Sequence, residues 1–476
     1  MKTVATPAAR WILLGAIAVW ALVAALPFPR PDPLPATAPV RAFSAERAMV
    51  HVRAIAQKPH PLDSEERVRV RDYLLAELSR LGVNPQIQSG TGEYSRGRFH
   101  TSATVENIVA RLAGSANTRP MMLAAHYDST RNGPGAGDDA HGVAVLLETL
   151  RALRSGPPLR NDAIFLFTDG EERGLLGADL FMRHHPWNHD PAVVLNFEAR
   201  GTGGPSYMFE TSAGNGWLIE ALARAVPRAQ ANSVSYEIYR RMPNDTDLTV
   251  FKRGGLGGMN FAFIGHPEFY HRPQDDVAHL DRRSVQEDGN YALGLARIFG
   301  NEDLTQKHSN DVIYFPTHLT PLIVYPESWA GPVAWLAAVA LLAAAWAGRR
   351  ARGRWIAALP AVIGVLAILV CRSAPGASYL LEWPLVAGVA SFALLMTAPK
   401  RLAAGWRLAA LALLPGAVFL ILVPFAMPLR TALGSRAWPV LAADFLVMLM
   451  CVAPQMVLLL RRPSGISRTG PACAES

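Results

Sequence analysis

Cysteine is scarce in this chain of 476 residues. The three cysteines are Cys371, Cys451 and Cys473, so residues 29–320 contain none. That segment therefore has neither a disulfide framework nor a zinc site built from thiolates. A metal ion bound there would need ligands from histidine, aspartate and glutamate side chains.

The sequence also lacks a basic domain of the kind that binds nucleic acid. The net charge is +8, but the excess of lysine and arginine lies in residues 1–28 and 321–476, between long apolar stretches. Basic residues beside apolar stretches are typical of the short loops of membrane proteins. The charge distribution therefore excludes nucleic acid as the expected partner and suggests a lipid bilayer instead.

Six apolar stretches are long enough to cross a bilayer. The first, residues 11–28, is predicted to be a retained transmembrane anchor, with a cleaved signal peptide as the alternative. The other five lie at 329–347, 355–371, 379–398, 408–428 and 438–460. Arginine and lysine are concentrated in alternate loops, whereas the loop before residue 379 has only Arg372. The positive-inside rule then predicts cytoplasmic termini, with the middle of the chain and the Arg372 loop outside.

Composition divides the chain into five parts. They are an anchor with a proline-rich linker (1–40), a soluble domain (41–308), a linker (309–328), a helical bundle (329–462) and a cytoplasmic tail (463–476). Helical periodicity in the soluble domain occurs at 64–81, 142–154, 174–184 and 215–226. Short apolar runs typical of buried strands occur at 105–111, 121–125, 163–168, 193–197 and 260–264. This alternation predicts an α/β fold with a mostly parallel twisted sheet covered by helices on both faces.

Histidines and acids cluster where the predicted strands end. They are His126 and Asp128 in AHYDS, Asp138 and Asp139 in GAGDDAHG, Glu171 and Glu172 in DGEERGLLGA, Glu198 in NFEARG, and His271 in YHRPQDD. Each fragment alone has an ordinary explanation, such as a solvated loop, a helix cap or a surface histidine. Open α/β sheets bind ligands at the carboxyl ends of their strands, so these side chains are expected to converge.

These motifs resemble those of the zinc exopeptidases with two co-catalytic metals. That family includes secreted bacterial leucyl aminopeptidases, aminopeptidase Y, glutamate carboxypeptidase II and the glutaminyl cyclases. The resemblance covers about residues 45–305, and the predicted membrane segments make the chain most similar to the endoplasmic reticulum metallopeptidase and vacuolar membrane protease branch. It implies a zinc-dependent aminopeptidase-type exopeptidase in 41–308, with two Zn²⁺ per chain.

The resemblance also implies a set of metal ligands. Asp138 would bridge the two metals. His126 and Glu198 would complete one site, and Glu172 and His271 would complete the other. Histidine and carboxylate groups are suitable zinc ligands on chemical grounds as well.

Three further roles follow from the resemblance. Glu171, next to a ligand but not itself one, would be the general base. Tyr270 resembles a tyrosine that hydrogen-bonds the oxyanion. Asp128 would accept the second N–H of the His126 imidazole and fix its orientation.

Four other residues near the motifs have less definite expected roles. Asp275 or Asp276 is expected to orient the loop that contains His271. Asp245 is expected near the substrate, and His141 is expected to be exposed to solvent.

The leading functional prediction is a metallo-exopeptidase that trims peptides outside the membrane. A bacterial inner membrane, with the catalytic domain on the periplasmic side, is the expected location. Two alternatives remain open, a glutaminyl cyclase-like acyltransferase and a receptor or scaffold domain without catalysis. The sequence does not predict an oligomeric state.

Overall fold

The computed structural model describes residues 28–305, 309–317 and 319–332, together with scattered positions between 11 and 26 and between 335 and 422. No helix within these described residues is both long and apolar enough to cross a membrane. The six predicted spans fall mainly on residues outside this description, and the predicted tail at 463–476 lies wholly outside it.

The described residues form a seven-stranded sheet with strand order β1-β2-β4-β3-β5-β7-β6. Its strands are β1 (Gln86–Arg96), β2 (Phe99–Leu112), β3 (Met121–His126), β4 (Ala163–Thr168), β5 (Val193–Ala199), β6 (Gly203–Thr211) and β7 (Gly258–Gly265). The predicted α/β class is confirmed, and all five predicted strands are present.

The sheet is mixed, however, so the prediction of a mostly parallel sheet is confirmed for the central strands only. The central strands β4, β3, β5 and β7 are parallel to one another, whereas β1–β2, β2–β4 and β6–β7 are antiparallel pairs. Neither β1 nor β6 is predicted from the sequence, because both contain glycine and polar residues. Only two residues join β1 to β2, and a connection that short requires an antiparallel hairpin.

Eight helices occur in the described part of the chain. They are α1 (Ala45–Ile55), α2 (Glu65–Arg80), α3 (His141–Arg154), α4 (Leu176–His184), α5 (Gly216–Ala225), α6 (Ser233–Tyr239), α7 (Asp247–Arg253) and α8 (Arg282–Phe299). The four predicted helices match α2, α3, α4 and α5 to within two residues. A separate hairpin, β8 (Val312–Phe315) with β9 (Ile323–Pro326), lies in the predicted linker.

Helices cover both faces of the sheet. Successive side chains of a strand point to opposite faces, so Met121 and Leu123 of β3 pack in one core while Met122 packs in the other. The first core includes α1, α3, α5 and α8, and the second includes α4 and α7. The central strands are therefore buried on both sides, and their carboxyl ends remain available for a site.

The proline-rich linker before α1 is fastened along α8. Nη1 of Arg30 lies 2.8 Å from Oδ2 of Asp281, and its Nη2 donates to Oγ of Ser284 at 2.8 Å. Four residues later, the backbone N–H of Leu34 donates to Oε1 of Gln286 at 2.9 Å. These contacts hold the linker against the domain.

Candidate metal centre

The carboxyl ends of three parallel strands bring the predicted ligands together. His126 is the last residue of β3, and Glu198 is the last but one of β5. Glu171 and Glu172 form a single 3-10 turn after β4. Asp138 lies in the buried turn Ala136–Ala140 that leads into α3. The expectation that these chain-distant residues converge agrees with their positions in the structure.

Asp138 is the centre of the cluster. Its Oδ1 lies 3.1 Å from Nε2 of His126, and its Oδ2 lies 3.0 Å from Nε2 of His271. One carboxylate therefore faces two imidazoles, one with each oxygen. Burial raises the pKa of Asp138, but hydrogen bonds from the two histidines outweigh it and lower the pKa below its ordinary value.

A further carboxylate accompanies each histidine. Nε2 of His126 lies 3.6 Å from Oε2 of Glu198, and Nε2 of His271 lies 3.2 Å from Oε2 of Glu172. The cluster thus has two halves that share Asp138. This is the arrangement that the family resemblance implies.

Among the described residues, two overlapping groups of three side chains bring their ligand atoms within 4.8 Å of one another, and they divide the site differently. They are His126 with Asp138 and Glu172, and His126 with Asp139 and Glu198. Asp139 is a poor ligand, because its two oxygens already accept hydrogen bonds from the backbone N–H groups of His126 and Gly142, at 3.2 and 3.1 Å. We therefore favour Asp138 as the shared group.

The residues fit a divalent cation. Oε1 of Glu172 is buried and has no hydrogen-bond partner. Burial raises the pKa of Glu198 to about 8, with Asp139 and Asp138 adding to the effect, although His126 opposes it. Burial and Asp138 likewise raise the pKa of Glu172 to about 7. The two imidazoles thus provide too little positive charge to balance the buried carboxylates around them. A bound metal ion would supply the missing positive charge.

Asp128 supports the Glu171–Glu172 turn more closely than it supports His126. Its Oδ1 and Oδ2 accept the backbone N–H groups of Glu171 and Glu172, at 3.0 and 3.3 Å. Nδ1 of His126 lies 3.0 Å from the backbone oxygen of Asp128 but 3.5 Å from its carboxylate. The imidazole orientation is therefore set mainly by a carbonyl, which differs from the expected carboxylate contact.

Glu171 lies in the pocket wall and has the environment of a proton acceptor. Burial is the main cause that raises its pKa well above the ordinary value; His126 opposes this shift, and Glu198 and Glu172 add to it. A carboxylate with a raised pKa accepts a proton more readily near neutral pH.

Asp275 has a clearer structural role than the sequence suggested. Its Oδ1 accepts the N–H of Gly137 at 2.6 Å, and its Oδ2 accepts the N–H of Asp138 at 3.2 Å. The buried Asp275 carboxylate therefore joins the His271 loop to the Asp138 turn. Asp276, by contrast, is turned to solvent and hydrogen-bonds His279.

His141 is fully buried, so the expectation of solvent exposure was wrong. Its Nδ1 lies 2.5 Å from the carbonyl of Gly137, and its Nε2 lies 3.0 Å from Oδ2 of Asp288. Burial lowers the pKa of His141, but Asp139 and Asp288 outweigh this and raise it to about 10. Both ring nitrogens face acceptors, which fits a charged imidazolium.

A cavity of about 1160 Å³, which includes open solvent at its mouth, adjoins the metal cluster. Asp138, Glu171, Glu198 and Tyr270 line its inner end. The sequence reasoning missed its outer walls, which come from β6 and α6. The apolar side chains of those walls include Phe209, Ile238 and Tyr239, and Met242 lines the cavity just after α6. The short apolar run at residues 207–209 was the one available signal, but the glycines and proline before it concealed the strand.

Asp245 lines the same cavity, as expected for a residue near the substrate. Its Oδ2 accepts hydrogen bonds from the Tyr94 hydroxyl and, at 2.9 Å, from Nη1 of Arg96. Both partners belong to β1. The β1–β2 hairpin therefore contributes to the cavity wall.

Comparison with known proteins identifies the domain. Residues 107–296 match the family model described as Peptidase family M28. The chain contains a peptidase family M28 domain. The predicted enzyme class, a zinc-dependent metallopeptidase, agrees with this M28 assignment.

Two relatives of the M28 domain are membrane proteins by name. The chain is 29% identical over 309 residues to endoplasmic reticulum metallopeptidase 1 of Rattus norvegicus, covering 60% of this chain and 34% of the rat protein. It is 31% identical over 295 residues to the vacuolar membrane protease of Candida glabrata, covering 57% of this chain and 30% of the yeast protein. The chain thus spans about a third of the length of these relatives.

Two solved structures are similar to the M28 domain. An aminopeptidase from Aneurinibacillus sp. strain AM-1 has a TM-score of 0.47 and 12% identity, over 57% of this chain and 98% of that chain. A zinc aminopeptidase from Bacillus subtilis has a TM-score of 0.44 and 15% identity, over 56% of this chain and 98% of that chain.

Proposed function

We propose that this chain is a membrane-anchored zinc metallo-exopeptidase that removes residues from the amino termini of peptides. The observation that carries the proposal is the position of Asp138 between His126 and His271, with Glu198 and Glu172 beside them. The M28 match supports the same class of enzyme.

The proposed ligands divide into two sets that share Asp138. His126 and Glu198 complete one set, and Glu172 and His271 complete the other. Two zinc ions bound there would lower the pKa of a water molecule and polarise the peptide carbonyl.

The remaining chemistry belongs to side chains of this domain. A carboxylate oxygen of Glu171 would take the proton of the attacking water and deliver it to the leaving amine. The Tyr270 hydroxyl would donate a hydrogen bond to the oxyanion. Tyr270 stacks on His271, with ring centroids 3.7 Å apart, so its ring is held at the edge of the cluster. Asp128 would keep the Glu171–Glu172 turn in position.

The charges of the cavity favour an aminopeptidase over a carboxypeptidase. The inner end is lined by the carboxylates of Asp138, Glu171 and Glu198, and Arg200 is the single basic residue among the described lining residues. Zinc would balance the charge of Asp138 and Glu198, whereas the carboxylate of Glu171, which is not a proposed ligand, would attract the terminal ammonium of a peptide and repel a terminal carboxylate. The free amino end is therefore the end expected next to the metal ligands.

The proposed setting is a bacterial inner membrane, with the domain at 41–308 on the periplasmic side. The anchor at 11–28 and the bundle at 329–462 would hold the domain at the membrane, each joined to it by a linker. The names of the two membrane-protein relatives agree with a membrane location. Peptides and lipid are the proposed partners.

The test is mass spectrometry of a defined peptide mixture incubated with the zinc-loaded full-length protein. Wild type is expected to produce ladders that lose residues from free amino termini, and acetylated peptides should stay intact. Glu171→Gln should reduce kcat by about 10²–10⁴-fold with zinc retained, because it keeps the shape of the side chain but removes the base. Glu220→Gln, an exposed change on α5, is the matched control.

Other products would contradict the proposal. Loss of ammonia from peptides with amino-terminal glutamine would indicate a glutaminyl cyclase. Ladders from the carboxyl terminus would reverse the assigned direction, and an unchanged mixture would favour a receptor or scaffold.

A further inference from the structure

Helix α6 forms part of the cavity wall and has two opposite faces. Ser235, Ile238 and Tyr239 line the cavity. Ser233 and Glu237, one turn apart, lie on the other face of the helix because residues at i and i+4 share a face. Both are buried, with 3% and 6% of their surface exposed. Something other than substrate therefore covers this second face.

The cover comes from a distant segment, residues 375–383, of which 375–377, 379, 380 and 383 are described. The Ser233 hydroxyl donates to the carbonyl of Gly376 at 2.6 Å, and the N–H of Gly376 donates to Oε1 of Glu237 at 3.4 Å. A Cβ added at Gly376 would lie 3.0 Å from Cγ of Glu237 and 3.2 Å from Cβ of Ser233. The fit is close enough that a larger residue would push against α6.

Aromatic rings extend this contact through the β8–β9 hairpin. The rings of Phe315 and Tyr379 stack with centroids 4.4 Å apart and planes within 8°. Trp383 lies edge-on to Phe315 and to Tyr325, at 6.5 and 6.2 Å. Tyr379 is only 2% exposed. The hairpin thus packs against the segment and, through Tyr314 and Ser233, also contacts α6.

The sequence predicts that this segment begins in the Arg372 loop, on the same outer side of the membrane as the M28 domain. Contact between the two is consistent with that topology. The metal ligands, in contrast, lie on β3, β5 and the loops after β3, β4 and β7, and none lies on α6.

We propose that the 375–383 segment of the C-terminal bundle is the outer support of α6 and thereby controls peptide binding in the cavity without controlling the metal site. This proposal rests on the proposed peptidase function for its kinetic consequence. The contact itself is testable independently of any activity.

The contact is tested by cross-linking in the full-length protein, after the three native cysteines are replaced by alanine. Ser233→Cys with Gly376→Cys should form a disulfide under mild oxidation, because the two Cβ atoms would be close enough for one. Ser235→Cys with Gly376→Cys is the matched control, since Ser235 lies on the opposite, cavity-lining face. Disulfide-linked peptides are detected by mass spectrometry. No link in the first pair, or equal links in both, would overturn the proposal.

The effect on the cavity is tested with Gly376→Val. We expect KM for peptides to rise by about tenfold, which corresponds to about 1.4 kcal/mol, with zinc content and zinc affinity unchanged. Gly331→Val is the matched control, because an added Cβ there meets no atom within 4 Å. Tyr379→Leu is a milder second variant that removes the stacked ring and should also raise KM.

The possible results separate this proposal from the proposed function. An unchanged KM in both variants, or a parallel loss of zinc, would overturn the proposed control of the cavity. If wild type hydrolyses no peptide, the proposed function fails, while the cross-link still reports whether the segment supports α6.

Discussion

Asp138 and Asp139 are adjacent in sequence, yet their carboxylates serve different neighbours. Asp138 faces His126 and His271, whereas Asp139 accepts two backbone N–H groups. The turn that contains both aspartates is held in place by the Asp275 carboxylate, which accepts the N–H groups of Gly137 and Asp138. At the scale of the residue, metal binding therefore depends on hydrogen bonds made by residues that are not ligands.

Asp275→Asn is predicted to weaken zinc binding by about 10–100-fold, as is usual for groups that orient a ligand. An amide has one acceptor oxygen, so it can hold only one of the N–H groups of Gly137 and Asp138. Zinc affinity is measured by competition with a chelator. Asp276→Asn changes the half-buried neighbour, which contacts neither Gly137 nor Asp138, and should bind zinc like wild type. Equal affinity in both variants would remove the proposed role of Asp275.

His141 predicts a specific dependence of stability on pH. Its pKa of about 10 in the folded protein lies above the ordinary 6.5. The charged His141 imidazolium therefore stabilises the folded protein fully below about pH 6.5, and this stabilisation is lost as the pH rises through about 10. The free energy of unfolding of wild type should fall over this interval relative to that of His141→Gln, which cannot be charged.

Chemical denaturation at several pH values measures this difference. His279→Gln, at an exposed position, should keep the pH dependence of wild type. Parallel curves for wild type and His141→Gln would show that the buried imidazole carries no charge in the folded protein.

At the scale of the element, the β1–β2 hairpin links stability to the cavity. A Cβ at Gly92 would lie 2.1 Å from the carbonyl oxygen of Leu176 on α4. Gly92→Ala should thus cost about 1–3 kcal/mol through overpacking and displace Tyr94 and Arg96 from Asp245. We expect a lower Tm and a higher KM.

The control lies in the same hairpin. Gly97 has φ +61° with no atom within 4 Å of an added Cβ, and asparagine tolerates that conformation. Gly97→Asn should therefore retain the Tm and KM of wild type. If Gly92→Ala behaved in the same way, the close approach of β1 to α4 would have no energetic consequence.

Sequence patterns predicted the elements that are apolar throughout. The six residues of β3 and of β4 are all buried, and their apolar runs marked them clearly. β1 and α6 were missed because β1 is a polar edge strand and α6 has only seven residues. The acids and histidines were found because motifs place them directly after strands. The apolar cavity walls were not predicted, because they depend on long-range packing between β6, α6 and β1.

At the scale of the whole molecule, the folded unit extends beyond residue 308. Ile313 and Tyr314 of β8 are fully buried, although they belong to the predicted linker. A fragment of residues 41–308 should therefore have a lower Tm than a fragment of residues 41–332, since it lacks these side chains. Thermal unfolding of both fragments measures the difference, and equal values would place β8 outside the cooperative unit.

The attachment of Arg30 to α8 limits how far the domain can move from its proposed anchor. One residue separates Phe28, the end of the predicted span, from Arg30, so the free tether is about 7 Å at full extension. A tether of this length would prevent the domain from tumbling independently of the bilayer. The enzyme would sample a thin layer of solution beside the lipid, and peptides that accumulate in that layer would be hydrolysed ahead of those in the bulk.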